Sequence, residues 1–180
     1  MRRVVTGHTP QGKSVFVRDE ECPHGAALEG VPNWRIDQIW TTEGVPRLPA
    51  EAGDPTAKGT PFFPAPGGTR FCVVTFPPER DLERAAASGA NLEAAQQAFY
   101  ANFPGIPDTM DPSQPGMHTS RTVDYGTVIK GKIELELDDG KKVVIGPGDF
   151  VVQNGTRHAW RNVGEDVAVM AFVVVGANTR

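Results

Sequence analysis

Short runs of alternating apolar and polar residues, separated by turns, fill the second half of the chain. Between 133 and 138, Ile and Leu alternate with acidic residues, which is typical of a strand with one buried face. Asp139-Gly140 follows and is a strong signal for a β-hairpin. Further strands are predicted at 123–129, 143–145, 150–153 and 167–175. Regular short strands joined by tight turns predict an antiparallel sandwich or barrel.

The first half of the chain has fewer strands and a long proline-rich segment. A hairpin is predicted over 3–18, with strands over 34–40 and 69–76. Each proline within 44–68 removes a backbone donor, so this segment cannot hold a helix or a central strand. It is either a long surface loop or a flap at the mouth of a pocket.

One helical region interrupts the strands. Strong helix formers predominate at 80–103, and Asn91 is a plausible N-cap for its second half. We therefore predict a single domain over 1–180. Its parts are N-terminal strands and the proline-rich segment over 1–79, a helical insertion over 80–103, and a β-barrel core over 116–176.

Composition and charge exclude several classes of function. The net charge of −4 and the absence of Lys/Arg runs argue against a nucleic-acid partner. No apolar run approaches the roughly 20 residues of a membrane span, and no signal peptide is recognised. Two unrelated cysteines indicate reduced thiols, so a cytoplasmic protein is predicted. The stretch 126–132 imitates part of a phosphate-binding loop, but Ile133 stands where Ser or Thr is required, and no nucleotide is expected.

Candidate chemistry concentrates between Gly116 and Asn162. His118 and Asp124 are six residues apart and share one face of an extended strand. The hairpins that follow can bring His158 alongside them. Two imidazoles and a carboxylate suit a divalent metal. They also suit a metal-free cluster in which Asp124 orients an imidazole that acts as a general base or acid.

The spacing of these residues resembles the two signature motifs of the cupin superfamily. The first motif contains Gly, His-x-His, an acidic residue and a later Gly; the corresponding residues are Gly116, His118, Ser120, Asp124 and Gly131. The second motif begins with Gly-Asp and ends with His and Asn; the corresponding residues are Gly148, Asp149, Gln153, Gly155, His158 and Asn162. The resemblance implies a small jelly-roll barrel, often a homodimer, with its site inside the barrel.

Two residues depart from the usual ligand set of that superfamily. Ser120 stands in place of the second His, and Asp124 in place of the Glu. The resemblance implies at most one divalent ion (Zn, Fe, Mn or Ni), and serine is a poor ligand for such ions. The predicted metal ligands, which are also the predicted catalytic residues, are His118, Asp124 and His158. The predicted substrate-binding residues are Ser120, Gln153 and Trp160, and Arg121 and Arg157 are either anion-binding or solvated surface residues.

We therefore expect an all-β fold, a cupin-type jelly-roll barrel with an N-terminal strand extension and a short helical insertion. The predicted function is a small-molecule enzyme that decarboxylates, dehydrates, isomerises or cyclises an oxygenated organic acid or polyketide-like compound. Each reaction can begin with proton transfer near a carbonyl, whose oxygen a metal would polarise. Loss of a His ligand weighs against dioxygen chemistry. The alternatives are a non-catalytic ligand-binding cupin without metal, and a structural dimer.

Overall fold

A computed structural model describes residues 1–50, 53–56, 60–89 and 91–179. The strands within these ranges are β1 Arg2–His8, β2 Ser14–Glu21, β3 Gly25–Ala27, β4 Arg35–Thr42, β5 Thr69–Phe76, β6 Thr122–Lys130, β7 Ile133–Glu136, β8 Lys142–Ile145, β9 Phe150–Asn154, β10 Ala159–Arg161 and β11 Ala168–Gly176. The helices are α1 Glu79–Ala87 and α2 Leu92–Tyr100. Neither helix in the described ranges has the length and hydrophobicity needed to span a bilayer.

The strands form two sheets and a separate hairpin, all with antiparallel pairing. The larger sheet has the order β3-β4-β5-β11-β6-β9, the smaller has the order β10-β7-β8, and β1 pairs with β2. Apolar side chains from both sheets, among them Val128, Ile133 and Phe172, form one core cluster. The all-β prediction is confirmed.

The alternating pattern and the turn signals place the strands correctly in the second half of the chain. Ile133 and Leu135 are buried on β7, as their spacing predicts. Asp139 and Gly140 both adopt positive φ, at 60° and 66°, and connect β7 to β8. Two successive positive φ values are typical of the hairpin turn that Asp-Gly favours. The hairpin prediction is therefore confirmed.

The helical insertion attaches to the barrel through aromatic side chains. The Asn91 side chain accepts a hydrogen bond of 3.1 Å from the Ala94 amide, which confirms the predicted N-cap. Phe99 at the end of α2 is buried, and its ring centroid lies 5.3 Å from that of Phe103. Phe103 in turn packs edge-to-face against Phe62 at 5.9 Å. The insertion and the proline-rich segment thus meet over the barrel interior.

Arg70 on β5 holds the described part of the proline-rich segment against the barrel; residues 51–52 and 57–59 of that segment lie outside the described ranges. The Arg70 side chain is 1% exposed and donates to the carbonyl oxygens of Pro61 at 2.9 Å, Thr42 at 3.2 Å and Thr69 at 3.0 Å. It also pairs with Glu43 at 2.7 Å. One buried guanidinium therefore anchors residues 60–68.

A row of exposed apolar side chains crosses the outer face of the larger sheet. Phe71, Val173, Tyr125 and Val152 are successive register neighbours on β5, β11, β6 and β9. Their exposed fractions are 40%, 37%, 53% and 57%. An uncharged row of this kind is common at interfaces between subunits. The homodimer remains a prediction, and this row is the surface that we expect it to bury.

We predict that Arg70→Met lowers the free energy of unfolding by about 3 kcal/mol, because several buried carbonyl oxygens lose their donor together. Urea unfolding followed by circular dichroism measures the change. Glu43→Gln is the matched control. The Glu43 side chain is 61% exposed, so its loss of charge should cost less than about 1 kcal/mol. Equal effects of the two substitutions would contradict the anchoring role of Arg70.

We predict that the protein sediments near twice its chain mass of 19.4 kDa and that Tyr125→Lys shifts it to the mass of one chain. A lysine in the exposed row would place a charge in an apolar interface, where desolvation disfavours it. Sedimentation velocity measures both masses. A wild-type monomer would refute the homodimer, and a dimeric Tyr125→Lys variant would refute this surface.

Candidate functional site

An apolar cavity lies between the two sheets, α2 and the proline-rich segment. Its volume of about 160 Å³ is on the scale of a cavity that accommodates a benzene-sized ligand. The aromatic residues lining it are Trp34, Phe62, Phe63, Phe76, Phe99, Tyr100, Trp160 and Phe172. The polar lining residues include His118, Asp124 and His158. The cavity therefore combines apolar walls with two imidazoles and one carboxyl group, as buried small-molecule sites often do.

Backbone hydrogen bonds bring the two histidines together. The His118 amide donates to the His158 carbonyl, and the His158 amide donates to the His118 carbonyl, both at 2.9 Å. The centroids of the two rings are 4.2 Å apart. The expectation that intervening hairpins bring His158 alongside His118 is therefore correct.

Backbone carbonyls, and not Asp124, hold the two imidazole rings. His118 Nδ1 is 3.0 Å from the Gly116 carbonyl oxygen, and His158 Nδ1 is 2.8 Å from the Thr156 carbonyl oxygen. Because a carbonyl only accepts, we assign the proton of each neutral ring to Nδ1, which leaves a lone pair on Nε2. The proposal that Asp124 orients an imidazole is thus corrected.

Burial keeps both imidazoles neutral. It lowers the pKa of His118, and it lowers the pKa of His158 to about 4, with a further contribution from neighbouring His118. A protonated imidazole would lose its hydration in this cavity, which disfavours the charged form. At neutral pH, each ring therefore presents an acceptor at Nε2 and no positive charge.

Asp124 is the most unusual group in the cavity. It lies on the inner face of β6 and is 8% exposed, while Tyr125 points outward. The Asp124 Oδ1 atom is buried and has no hydrogen-bond partner in the described part of the protein. Burial raises the pKa of this carboxyl from 3.8 to about 6. An unpaired buried acceptor is costly, so Asp124 is a candidate functional group of the cavity.

The three predicted metal ligands line one cavity but do not form a metal cluster. Within residues 1–50, 53–56, 60–89 and 91–179, no three His, Cys, Asp or Glu side chains lie close enough together to hold an ion. The Nε2 lone pairs of both histidines are suitable for binding a metal ion, but Asp124 does not lie close enough to them to complete a set of three ligands. The donors in this arrangement do not fit the expected three-ligand site, and a divalent ion remains a prediction.

The three predicted substrate-binding residues have different environments. Trp160 lines the cavity and packs edge-to-face against His158 at 5.7 Å. Ser120 is buried and accepts a hydrogen bond of 2.7 Å from the Thr122 hydroxyl. The Gln153 amide donates to the Thr156 carbonyl at 3.3 Å, the same oxygen that holds His158. Ser120 and Gln153 are not among the described residues that line the cavity, so Gln153 supports His158 from behind.

Most of the aromatic wall was not predicted from the sequence. Phe62 and Phe63 come from a segment without periodicity; two adjacent aromatic residues among prolines were the only available signal.

Arg157 is not free to bind an anion, because it pairs with Asp111 at 2.5 Å and Asp138 at 2.7 Å. A hydrogen bond from Ser113 and the pairing with Arg157 lower the pKa of Asp111 to about 2.

Comparison with known proteins supports the motif resemblance. Residues 109–175, which contain both histidines, match the family model described as "Cupin domain". The matched residues are therefore identified as a cupin domain. A solved cupin from Methanocaldococcus jannaschii, described as RmlC-like with a double-stranded β-helix fold, has 15% identity to this chain. The match covers 73% of this chain and 90% of that one, with a TM-score of 0.38.

Several fungal proteins are related to this cupin. It is 25% identical over 91% of its length to the cupin-domain-containing oxidoreductase srdB of Neurospora crassa, and covers 67% of that protein. It is 26% identical over 98% of its length to fogC of Aspergillus ruber, which has the same description, and covers 72% of it. A stretch of 49 residues is 49% identical to oryzines biosynthesis cluster protein J of Aspergillus oryzae. That stretch spans about a quarter of protein J, 27% of its length.

We predict that Asp124→Asn gains stability relative to the wild type as pH rises from about 4 to 6. The folded wild type binds the Asp124 proton more tightly than the unfolded chain does, so this contribution is present below pH 4 and is lost through pH 6. A shift from 3.8 to about 6 corresponds to roughly 3 kcal/mol. His158, whose pKa is lowered, contributes a pH dependence of the opposite sign. This contribution is present in both the wild type and the variant, so it does not affect their difference.

Urea unfolding at pH 4 and pH 7.5 measures this difference for the wild type and the variant. Asp139→Asn, at an exposed position in the β7–β8 turn, is the matched control and should follow the wild type at both values. An Asp124→Asn difference that is the same at pH 4 and pH 7.5 would show that this carboxyl does not have a raised pKa.

Proposed function

We propose that this cupin is a small-molecule enzyme in which Asp124 transfers a proton at a carbon next to a carbonyl group. The observation that carries the proposal is the buried, unpartnered Oδ1 atom of Asp124 in an apolar cavity. The relatives named as cupin-domain-containing oxidoreductases, and the relative named for a biosynthesis cluster, support a small-molecule enzyme at the level of the family.

The pKa of Asp124 suits a general base that works near neutral pH. A carboxyl with a pKa of about 6 is mostly ionised at pH 7, yet it holds a proton better than an exposed carboxyl does. The apolar walls make the carboxylate a stronger base, because little water is present to solvate its charge. Neutral His158, with its pKa lowered to about 4, is a weaker base. We therefore assign proton removal to Asp124.

The imidazoles act beside the carboxylate by accepting a hydrogen bond from the product. Asp124 takes the proton from carbon, and the electron pair moves toward the carbonyl oxygen as the double bond shifts. The same carboxyl then returns the proton to that oxygen, so that a ketone becomes an enol. The new hydroxyl donates to a bare Nε2 of His118 or His158. Isomerisation follows when carbon is reprotonated elsewhere, and dehydration follows when a neighbouring hydroxyl leaves with a proton.

The charge of the lining favours a neutral, polyketide-like compound over an organic acid. The described residues that line the cavity include no Lys or Arg, and Arg157 is engaged with Asp111 and Asp138. Both imidazoles are neutral at pH 7, and Asp124 would repel a carboxylate. An anionic substrate would therefore lose its hydration without gaining an ion pair.

Oxidation of a hydroxyl group is a second candidate, favoured by the relatives that are named as oxidoreductases. Such a reaction also requires removal of a proton, for which the cavity offers Asp124 and the Nε2 lone pairs. It would in addition require an oxidant. A non-catalytic ligand-binding cupin and a structural dimer are the remaining alternatives.

We predict that the protein catalyses exchange of hydrogen for deuterium next to the carbonyl of neutral one-ring ketones and hydroxy ketones. Proton NMR in deuterated water measures the exchange. The rate should rise with pH through about 6 as Asp124 ionises. Asp124→Asn should lower it by at least about 100-fold, because general-base catalysis contributes about this much. Chelator-treated protein should retain the activity, and elemental analysis should accompany the assay.

Tyr125→Phe is the matched control, since Tyr125 is the next residue on β6 and lies on the opposite face. It should leave the exchange rate unchanged. Exchange that survives Asp124→Asn would refute the assignment of the base. Exchange that requires an added divalent metal would restore the metal-dependent alternative. Probes that bind without exchange would favour the non-catalytic ligand-binding cupin.

A further inference from the structure

A second cavity adjoins the first beneath the helical insertion. Its volume is about 280 Å³, and Leu28, Pro77 and Leu82 line its outer side. Both cavities are lined by Trp34, Phe76, Phe99, Tyr100, Met110 and Trp160. These side chains, together with the backbone of Gly116, therefore form a wall that the two spaces share. We call the second cavity the tail groove.

The chemistry of the tail groove suits an uncharged apolar chain. Its polar lining residues include Glu79 and Gln96 on the helices and Arg161 on β10. Arg161 is paired with Glu136 at 2.7 Å, and Glu79 would repel an anion. The Gln96 amide donates to the Tyr100 hydroxyl at 3.2 Å. No free cation is thus offered by the described residues of the groove, and its remaining surface is mainly hydrocarbon and aromatic.

We propose that the substrate is a neutral one-ring compound with an extended hydrocarbon chain, whose ring occupies the cavity and whose chain occupies the tail groove. This inference rests on the proposed function, which places the reacting group beside Asp124. The first cavity, at about 160 Å³, accommodates little more than one ring. Any longer apolar substituent must leave that cavity, and the tail groove is the adjoining apolar space.

Six of the seven residues that line both spaces contribute side chains to the partition, and the seventh is Gly116. Tyr100 and Phe99 come from the last turn of α2, and Met110 comes from the segment that precedes β6. Rotation of such side chains between staggered conformations joins the two spaces without moving a strand. Methionine in particular adapts its shape to a ligand because its side chain is unbranched.

Isothermal titration calorimetry with phenol and its 4-ethyl, 4-butyl and 4-hexyl derivatives tests this inference. We expect the dissociation constant to fall by about threefold to fourfold for each added methylene group, as burial of hydrocarbon predicts. The heat capacity change should become more negative along the series. Leu82→Trp fills the tail groove, so it should abolish the dependence on chain length and leave the affinity for phenol unchanged.

Leu48→Trp is the matched control, since Leu48 is 86% exposed and lies outside both cavities; it should behave as the wild type. Leu28→Trp, on another wall of the groove, is a second test variant in case Leu82→Trp does not fold. Phenol binding with no gain along the series, or a gain that survives both tryptophan variants, overturns the tail groove and leaves the proposed function intact. Failure of every phenol to bind overturns the cavity as a ligand site, and with it the proposed function.

Discussion

The reciprocal backbone hydrogen bonds between His118 and His158 are the constraint on which the rest of the site depends. They join two segments that are far apart in the chain, and they fix the separation of the imidazoles before any side chain contributes. The carbonyls of Gly116 and Thr156 then set which nitrogen of each ring faces the cavity. A preorganised pair of acceptors costs little entropy when a ligand binds, because strands position them.

The sequence predicted the barrel well because its signals are local. Alternation of Ile and Leu with acidic residues, and the Asp139-Gly140 turn, depend only on neighbouring positions. The same reasoning located His118, Asp124 and His158, since residues an even number of positions apart on a strand share a face. This alternation does not tell how far apart two side chains on different strands lie. For that reason it could not show that Asp124 stands apart from the histidines, nor that Gln153 supports His158 from behind.

The aromatic wall escaped prediction for a different reason. Phe62 and Phe63 belong to a proline-rich segment without a regular backbone. Long-range contacts determine where that segment lies, among them the hydrogen bonds from buried Arg70 and the packing of Phe62 on Phe103. Such contacts join residues whose relation is invisible in the order of the chain. The cavity is thus formed by a barrel that the sequence predicts and by a proline-rich segment whose position it does not predict. The Asp124 Oδ1 atom, which has no hydrogen-bond partner among the described residues, stabilises neither part, as is typical of sites retained for function at the expense of stability.

The position of β11 has a consequence for how the protein is made. This strand lies between β5 and β6 in the larger sheet, yet it follows every other described strand in sequence. Until the ribosome has released it, the edges of β5 and β6 have no strand between them, and their apolar inner faces remain partly uncovered. Nascent chains with such edges are prone to associate with one another. Completion of the larger sheet therefore requires a strand that is synthesised after all of its other described strands.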